Sequence, residues 1–91
     1  RLSAVKILAE PVEAAVWFKA KEKPHPVKFR YSDSSGLVQK VTVDKIISVD
    51  EIKTAGIRAF VYRCQSEING RMKVYELKYL VSDCRWELYK M

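Results

Sequence analysis

Asn69-Gly70 constrains this chain more than any other pair of residues, because it stands between two runs of alternating apolar and polar side chains. A two-residue type I′ turn needs positive φ at both central positions, and Asn-Gly is its strongest short-range signal. Folding about that turn sets Cys64 opposite Tyr75, Tyr62 opposite Leu77 and Phe60 opposite Tyr79, with Arg63 facing Glu76 on the other side. A second tight turn near Ser82-Asp83 then sets Tyr79 opposite Trp86, Leu77 opposite Leu88 and Lys78 opposite Glu87. Aromatic and aliphatic pairs share one face and opposite charges share the other, as cross-strand pairs prefer. A slip of one residue would send every aromatic to the wrong face, so the register is specified.

The rest of the chain extends the same pattern. Val12, Ala14, Val16 and Phe18 alternate with Glu13, Ala15, Trp17 and Lys19, which predicts a strand over 12–19. Lys21-Glu22-Lys23-Pro24-His25-Pro26 reads as a turn, since prolines remove donors and fix φ. A second strand is expected over 27–31, with Val27, Phe29 and Tyr31 inward and Lys28 and Arg30 outward. Ser32 to Gly36 has hairpin-loop chemistry, and a third strand runs from about Leu37 to Ile47 with Val41 and Val43 inward. Ser48-Val49-Asp50-Glu51 fits a capping box, and Gly56 stands where a helix C′ residue would. One short helical turn near 49–55 is therefore expected there, with a bent strand end as the alternative. The fourth strand follows from about Arg58 to Ile68.

These elements predict an all-β fold: an antiparallel meander of five to six strands forming a small barrel or half-barrel. With 91 residues the chain makes one domain near the lower limit for an independent core, read as an apolar lead-in over 1–10 and a single β domain over 11–91. No apolar run approaches the roughly 20 residues that cross a bilayer, and Leu2 to Ala9, broken by Lys6, does not read as a signal peptide. The register places Cys64 in the middle of the ribbon and Cys84 at its far end, about six residues or roughly 20 Å apart. A disulfide needs Cα atoms within about 7 Å, so both thiols are expected free and the compartment a reducing cytoplasm.

Candidate chemistry is sparse. The one histidine, His25, lies between two prolines, and Cys64 is expected in the core, where cysteine acts as a small hydrophobe. A nucleophile and base pair is therefore not expected, nor is a metal site, because one His and two separated Cys lack ligand spacing. Gly36, Gly56 and Gly70 each fit a turn or cap rather than a phosphate cradle. Glu76 and Glu87 have cationic cross-strand partners and read as surface pairs. No catalytic residue, cofactor or metal is expected.

Charge and exposed apolar residues point to binding instead. The net charge is +6, and residues 19–30 hold Lys19, Lys21, Lys23, Lys28 and Arg30 against Glu22 alone. With Trp17 on the same face, this is the combination single-stranded nucleic acid requires, phosphate-binding cations beside an aromatic platform. A solvated face that keeps a small β protein soluble and blunts an edge strand is the competing account. Separately, Met72, Val74, Tyr89 and Met91 fall together on the outer face of the last ribbon, with Val74 opposite Met91. Such a strip suits a protein partner or a homodimer, or is covered by Leu2 to Leu8.

Short motifs add a resemblance. Glu10-Pro11-Val12-Glu13 opens the first strand, Pro26 and Phe29 mark the second, Val41 to Ile46 the third, and Tyr75-Glu76-Leu77 precedes Trp86-Glu87-Leu88-Tyr89. This layout resembles a group of small bacterial all-β proteins often encoded near Y-family translesion DNA polymerases, and hypothetical proteins of similar length from clostridia. It spans roughly residues 10 to 91 and departs from the pattern between Asp44 and Gly56. It implies a small cytoplasmic accessory domain in a DNA-repair context and carries over no catalytic residues. The combined expectation is a non-enzymatic binding module using single-stranded or duplex DNA, with a protein-interaction or homodimer module as the alternative.

Overall fold

The computed structural model describes residues 7–32 and 35–91. Among these the chain forms seven strands: β1 (Ile7–Trp17), β2 (His25–Ser32), β3 (Val38–Thr42), β4 (Lys45–Thr54), β5 (Ile57–Ile68), β6 (Arg71–Leu80) and β7 (Arg85–Lys90). They make one antiparallel sheet in the order β3-β2-β1-β7-β6-β5-β4, curled into a half-barrel. The all-β class follows the sequence expectation. The expected third strand is divided into β3 and β4, and the first begins at Ile7 rather than Val12.

The ribbon about Asn69-Gly70 has the register read from the sequence. Cys64 pairs with Tyr75, Tyr62 with Leu77, Phe60 with Tyr79 and Arg63 with Glu76. Tyr79 pairs with Trp86, Leu77 with Leu88 and Lys78 with Glu87. Asn69 (φ 52°) and Gly70 (φ 78°) both lie in the left-handed region, as the type I′ turn requires. Both cysteines are free, Cys64 buried and Cys84 exposed.

Val27, expected inward, is exposed at the β1–β2 bulge with Pro26 buried in its stead, and two larger expectations are corrected. No helical turn forms near 49–55, because β4 stays extended and pairs with β5 from Lys45–Gln65 to Thr54–Ile57. A capping box offers Ser48 and Glu51 a few local bonds, whereas the ladder satisfies the backbone over the whole segment. Glu51 pairs with Arg58 instead. Ala55 (φ 52°) and Gly56 (φ 81°) close a two-residue hairpin, so Gly56 serves a turn and not a helix end. The second correction concerns the last strand. A bulge shifts the β6–β7 register so that Glu76 faces Lys90, and Val74 does not face Met91. The bulge residue, Tyr89, lies under Lys78 Nζ and Lys90 Nζ at 4.8 and 5.3 Å from its ring centroid. Met91 packs partly buried against the core, which leaves Met72 and Val74 as the exposed members of the expected strip.

The core lies in the concavity. Tyr62, Cys64, Tyr75, Leu77, Tyr79, Trp86 and Leu88 come from β5, β6 and β7, while β2 and β3 contribute Phe29 and Val41. Phe29 meets Tyr75 at 5.3 Å, and Trp86 stacks against Tyr62 and Tyr79 at 5.2 and 4.9 Å between ring centroids. The edge strands β3 and β4 are joined by Val43 and Asp44 alone, and that corner is pinned to β5. Ser66 Oγ, fully buried, donates to the Thr42 carbonyl at 2.7 Å and accepts from the Asp44 amide at 3.3 Å. With its proton so committed, Ser66 Oγ accepts from the Tyr75 hydroxyl at 2.6 Å. The Asp44 carboxylate accepts the Glu67 amide at 2.9 Å. The polar groups at this seam therefore answer one another, as burial demands.

Candidate nucleic-acid interface

β1, β2 and β3 form a three-stranded wing with the core on one side and solvent on the other. Phe29 and Val41 are buried, with Ala14 and Val16 packed partly buried against them, so alternation turns Glu13, Ala15, Trp17, Lys28, Arg30, Lys40 and Thr42 outward. Register then sets these side chains in rows. Glu13 faces Arg30, which faces Lys40; Ala15 faces Lys28, which faces Thr42. Beyond a bulge at Ala15/Val16, Trp17 faces His25. The small Ala15 side chain leaves a depression of about 370 Å³ with Lys28, Arg30, Lys40, Thr42 and Glu13 in its lining.

Arg30 and Lys40 are like charges directly across from each other, an unfavourable arrangement. Glu13 relieves it by an ion pair with Arg30, both side chains remaining largely exposed. A pair so exposed contributes at most about 1 kcal/mol, so Arg30 can exchange Glu13 for another anion at small cost. Among the described residues, Lys28 and Lys40 have no acidic partner within ion-pair distance. Trp17 is 61% exposed, unusual for the largest apolar side chain, and Lys19 Nζ lies 5.1 Å from its ring centroid.

The other residues of the expected basic site separate. The chain between β1 and β2 folds over one end of the half-barrel, where Phe18 meets Tyr79 edge-on at 6.2 Å and the Tyr62 hydroxyl donates to the Pro24 carbonyl. That fold carries Lys23 to Phe60, its Nζ 5.6 Å from the ring centroid. There it joins Arg58, which lies 5.3 Å from the same ring and pairs with Glu51. The Arg58 hydrogen bond holds the Glu51 carboxyl below its ordinary range. Lys23 is thus part of the barrel end, while Lys21 is exposed on the turn itself at φ 62°. Trp17, Lys19, Lys28 and Arg30 stay with the wing. Lys40 and Thr42 were missed by the sequence reading. Alternation with the inward Val41 marks both as outward, but only the β2–β3 register places Lys40 beside Arg30.

Cys64 is buried on the core face and its thiol is pushed up to about 12 by desolvation, which keeps it protonated at neutral pH. His25 is exposed at the start of β2. Among the described residues, no helix is long and apolar enough to cross a membrane. Compared with protein-family models, curated proteins and solved structures, the chain matches none.

Proposed function

We propose that this chain is a non-enzymatic binding module that takes nucleic acid on the outer face of β1–β2–β3. The observation that carries the reading is the row-by-row placement of Lys28, Arg30 and Lys40 around the depression over Ala15, two of the three without an acidic partner among the described residues. Cations held on neighbouring strands of a rigid sheet meet a phosphate chain without first ordering a loop. Net charge of +6 adds long-range attraction for polyanions. A DNA-repair setting rests on the resemblance of short motifs described above and is part of the proposal only in that sense.

The test is a titration of labelled single-stranded and duplex DNA at low and moderate salt. Counterion release predicts affinity that falls steeply as salt rises. A solvated face that merely blunts the β3 edge predicts no affinity, and absence of binding at low salt would remove the proposal. The dimer alternative loses its main support here, since Met91 turns to the core and Tyr89 lies beneath two lysines.

A further inference from the structure

We infer that the ligand of this face is a single strand of nucleic acid, with one base stacked on Trp17 and its phosphates led along Lys28, Arg30 and Lys40. The inference rests on the nucleic-acid reading above and narrows it. Lys28 and Arg30 alternate on β2, about 6.7 Å apart along the strand, and Lys40 lies beside Arg30 at about 5 Å. This is a short ladder of positive charge, and Trp17 stands at its end. Ala15, two residues before Trp17, faces Lys28, and beyond the bulge Trp17 faces His25, so the indole stands past Lys28 at the end of this ladder.

Two features of the indole favour a base as its partner. It is 61% exposed on a face whose other outward side chains are mostly polar, so the core does not account for it. The chain also holds Lys19 over it, which places a phosphate-seeking charge beside a stacking surface. Aromatic platforms flanked by cations bind single strands with little sequence preference, because every base presents a π-face.

Shape argues against a duplex. Three adjacent strands span about 10 Å before side chains are added, close to the whole width of a B-form major groove at about 12 Å. The groove admits a helix or a two-stranded ribbon, not a sheet face of this breadth. Bases within a duplex stack on one another, so Trp17 could reach none of them without unstacking the helix.

Fluorescence-anisotropy titrations of labelled 12-mers of dT and of rU, a 12-base-pair DNA duplex and inorganic polyphosphate as competitor test this. Titration of unlabelled oligomers, followed by indole emission, reports on Trp17, since Trp86 is buried. The expected result is tighter binding of one or both single strands than of the duplex, with quenched indole emission. Trp17→Ala should weaken single-strand binding by about tenfold, the loss of one base–aromatic stack, and leave duplex and polyphosphate affinity unchanged. Trp17→Phe should restore most of it. The dT and rU arms tell DNA from RNA as the source of the strand. Equal or tighter duplex binding, or a Trp17→Ala protein that holds the single strand as tightly as before, would overturn the single-strand inference while leaving nucleic-acid binding intact. No binding of any nucleic acid would instead remove both.

Discussion

The two halves of this sheet use the same alternation for different ends. In the β5–β6–β7 ribbon the inner face carries Tyr62, Cys64, Tyr75, Leu77, Tyr79, Trp86 and Leu88, every one buried. Its outer face mixes charges of both signs, Arg63 facing Glu76 and Lys78 facing Glu87, with Arg85 3.6 Å from Glu87. In the β1–β2–β3 wing the inner face is thinner: Phe29 and Val41 are buried, while Val12, Ala14 and Val16 are only partly so. Its outer face is mostly cationic around a depression, with an indole projecting from it. Packing is concentrated in the ribbon and unbalanced charge in the wing. Stability and binding are therefore separable by mutation.

The largest expected effect is in the ribbon. Leu77, with no exposed surface, leaves a cavity on substitution, and Leu77→Ala should cost about 3 kcal/mol in chemical denaturation. A change near zero would mean that the ribbon does not hold the core. Alkaline pH attacks the same residues. Burial pushes Tyr62 and Tyr75 from 10.0 up to about 12, and Cys64 from 9.0 up to about 12. All three are neutral in the folded state at pH 7, and the unfolded chain gives up their protons more readily. Their contribution is complete below about pH 9 and is lost as pH climbs from 9 towards 12. Denaturation midpoints measured from pH 7 to 11 should fall accordingly, and a flat profile would contradict the burial of these hydroxyls.

A smaller effect is expected at the seam. Tyr75→Phe removes the hydroxyl that Ser66 Oγ accepts from, and should cost about 1 kcal/mol, since Ser66 keeps Thr42 and Asp44 as partners. Ser66→Ala should cost more, because it strands the Tyr75 hydroxyl and the Thr42 carbonyl together. The smallest shift is at Ala55, held at φ 52° in a turn that favours Asn or Gly; Ala55→Asn should raise stability by somewhat under 1 kcal/mol. Thermal melts of the three variants give this order or break it.

What the sequence made legible follows the strength of its local signals. Asn69-Gly70 allows one turn type, and the long alternating runs beside it allow one register, so the ribbon was readable to the level of individual pairs. Ala55-Gly56 makes the same kind of turn, but alanine does not announce a positive φ. The bulge between Ile46 and Ser48 brings Ile46 and Val49, three residues apart, to the same core face, so strict alternation breaks there while Ser48 and Glu51 keep capping-box spacing. The bulge at Glu76/Leu77 has no local signature, so the expected facing of Val74 and Met91 was lost there. At the site, Trp17, Lys28 and Arg30 were readable from alternation alone. Lys23 is near them in sequence, yet the turn that buries Pro24 takes it to the barrel end, over Phe60. Of Leu2 to Leu8, offered as one of two accounts of the apolar strip, residues 2–6 lie outside the described residues and Ile7 and Leu8 belong to β1.

The wing's role is tested most directly by the salt dependence of DNA binding. Lys28→Gln/Lys40→Gln removes two exposed charges from the outer face of β2 and β3, so stability should stay within about 0.5 kcal/mol of the parent. If these lysines hold phosphates, the slope of log affinity against log salt should become shallower by about one for each lysine, and binding should weaken at every salt concentration. An unchanged slope and affinity in a folded double variant would contradict the account.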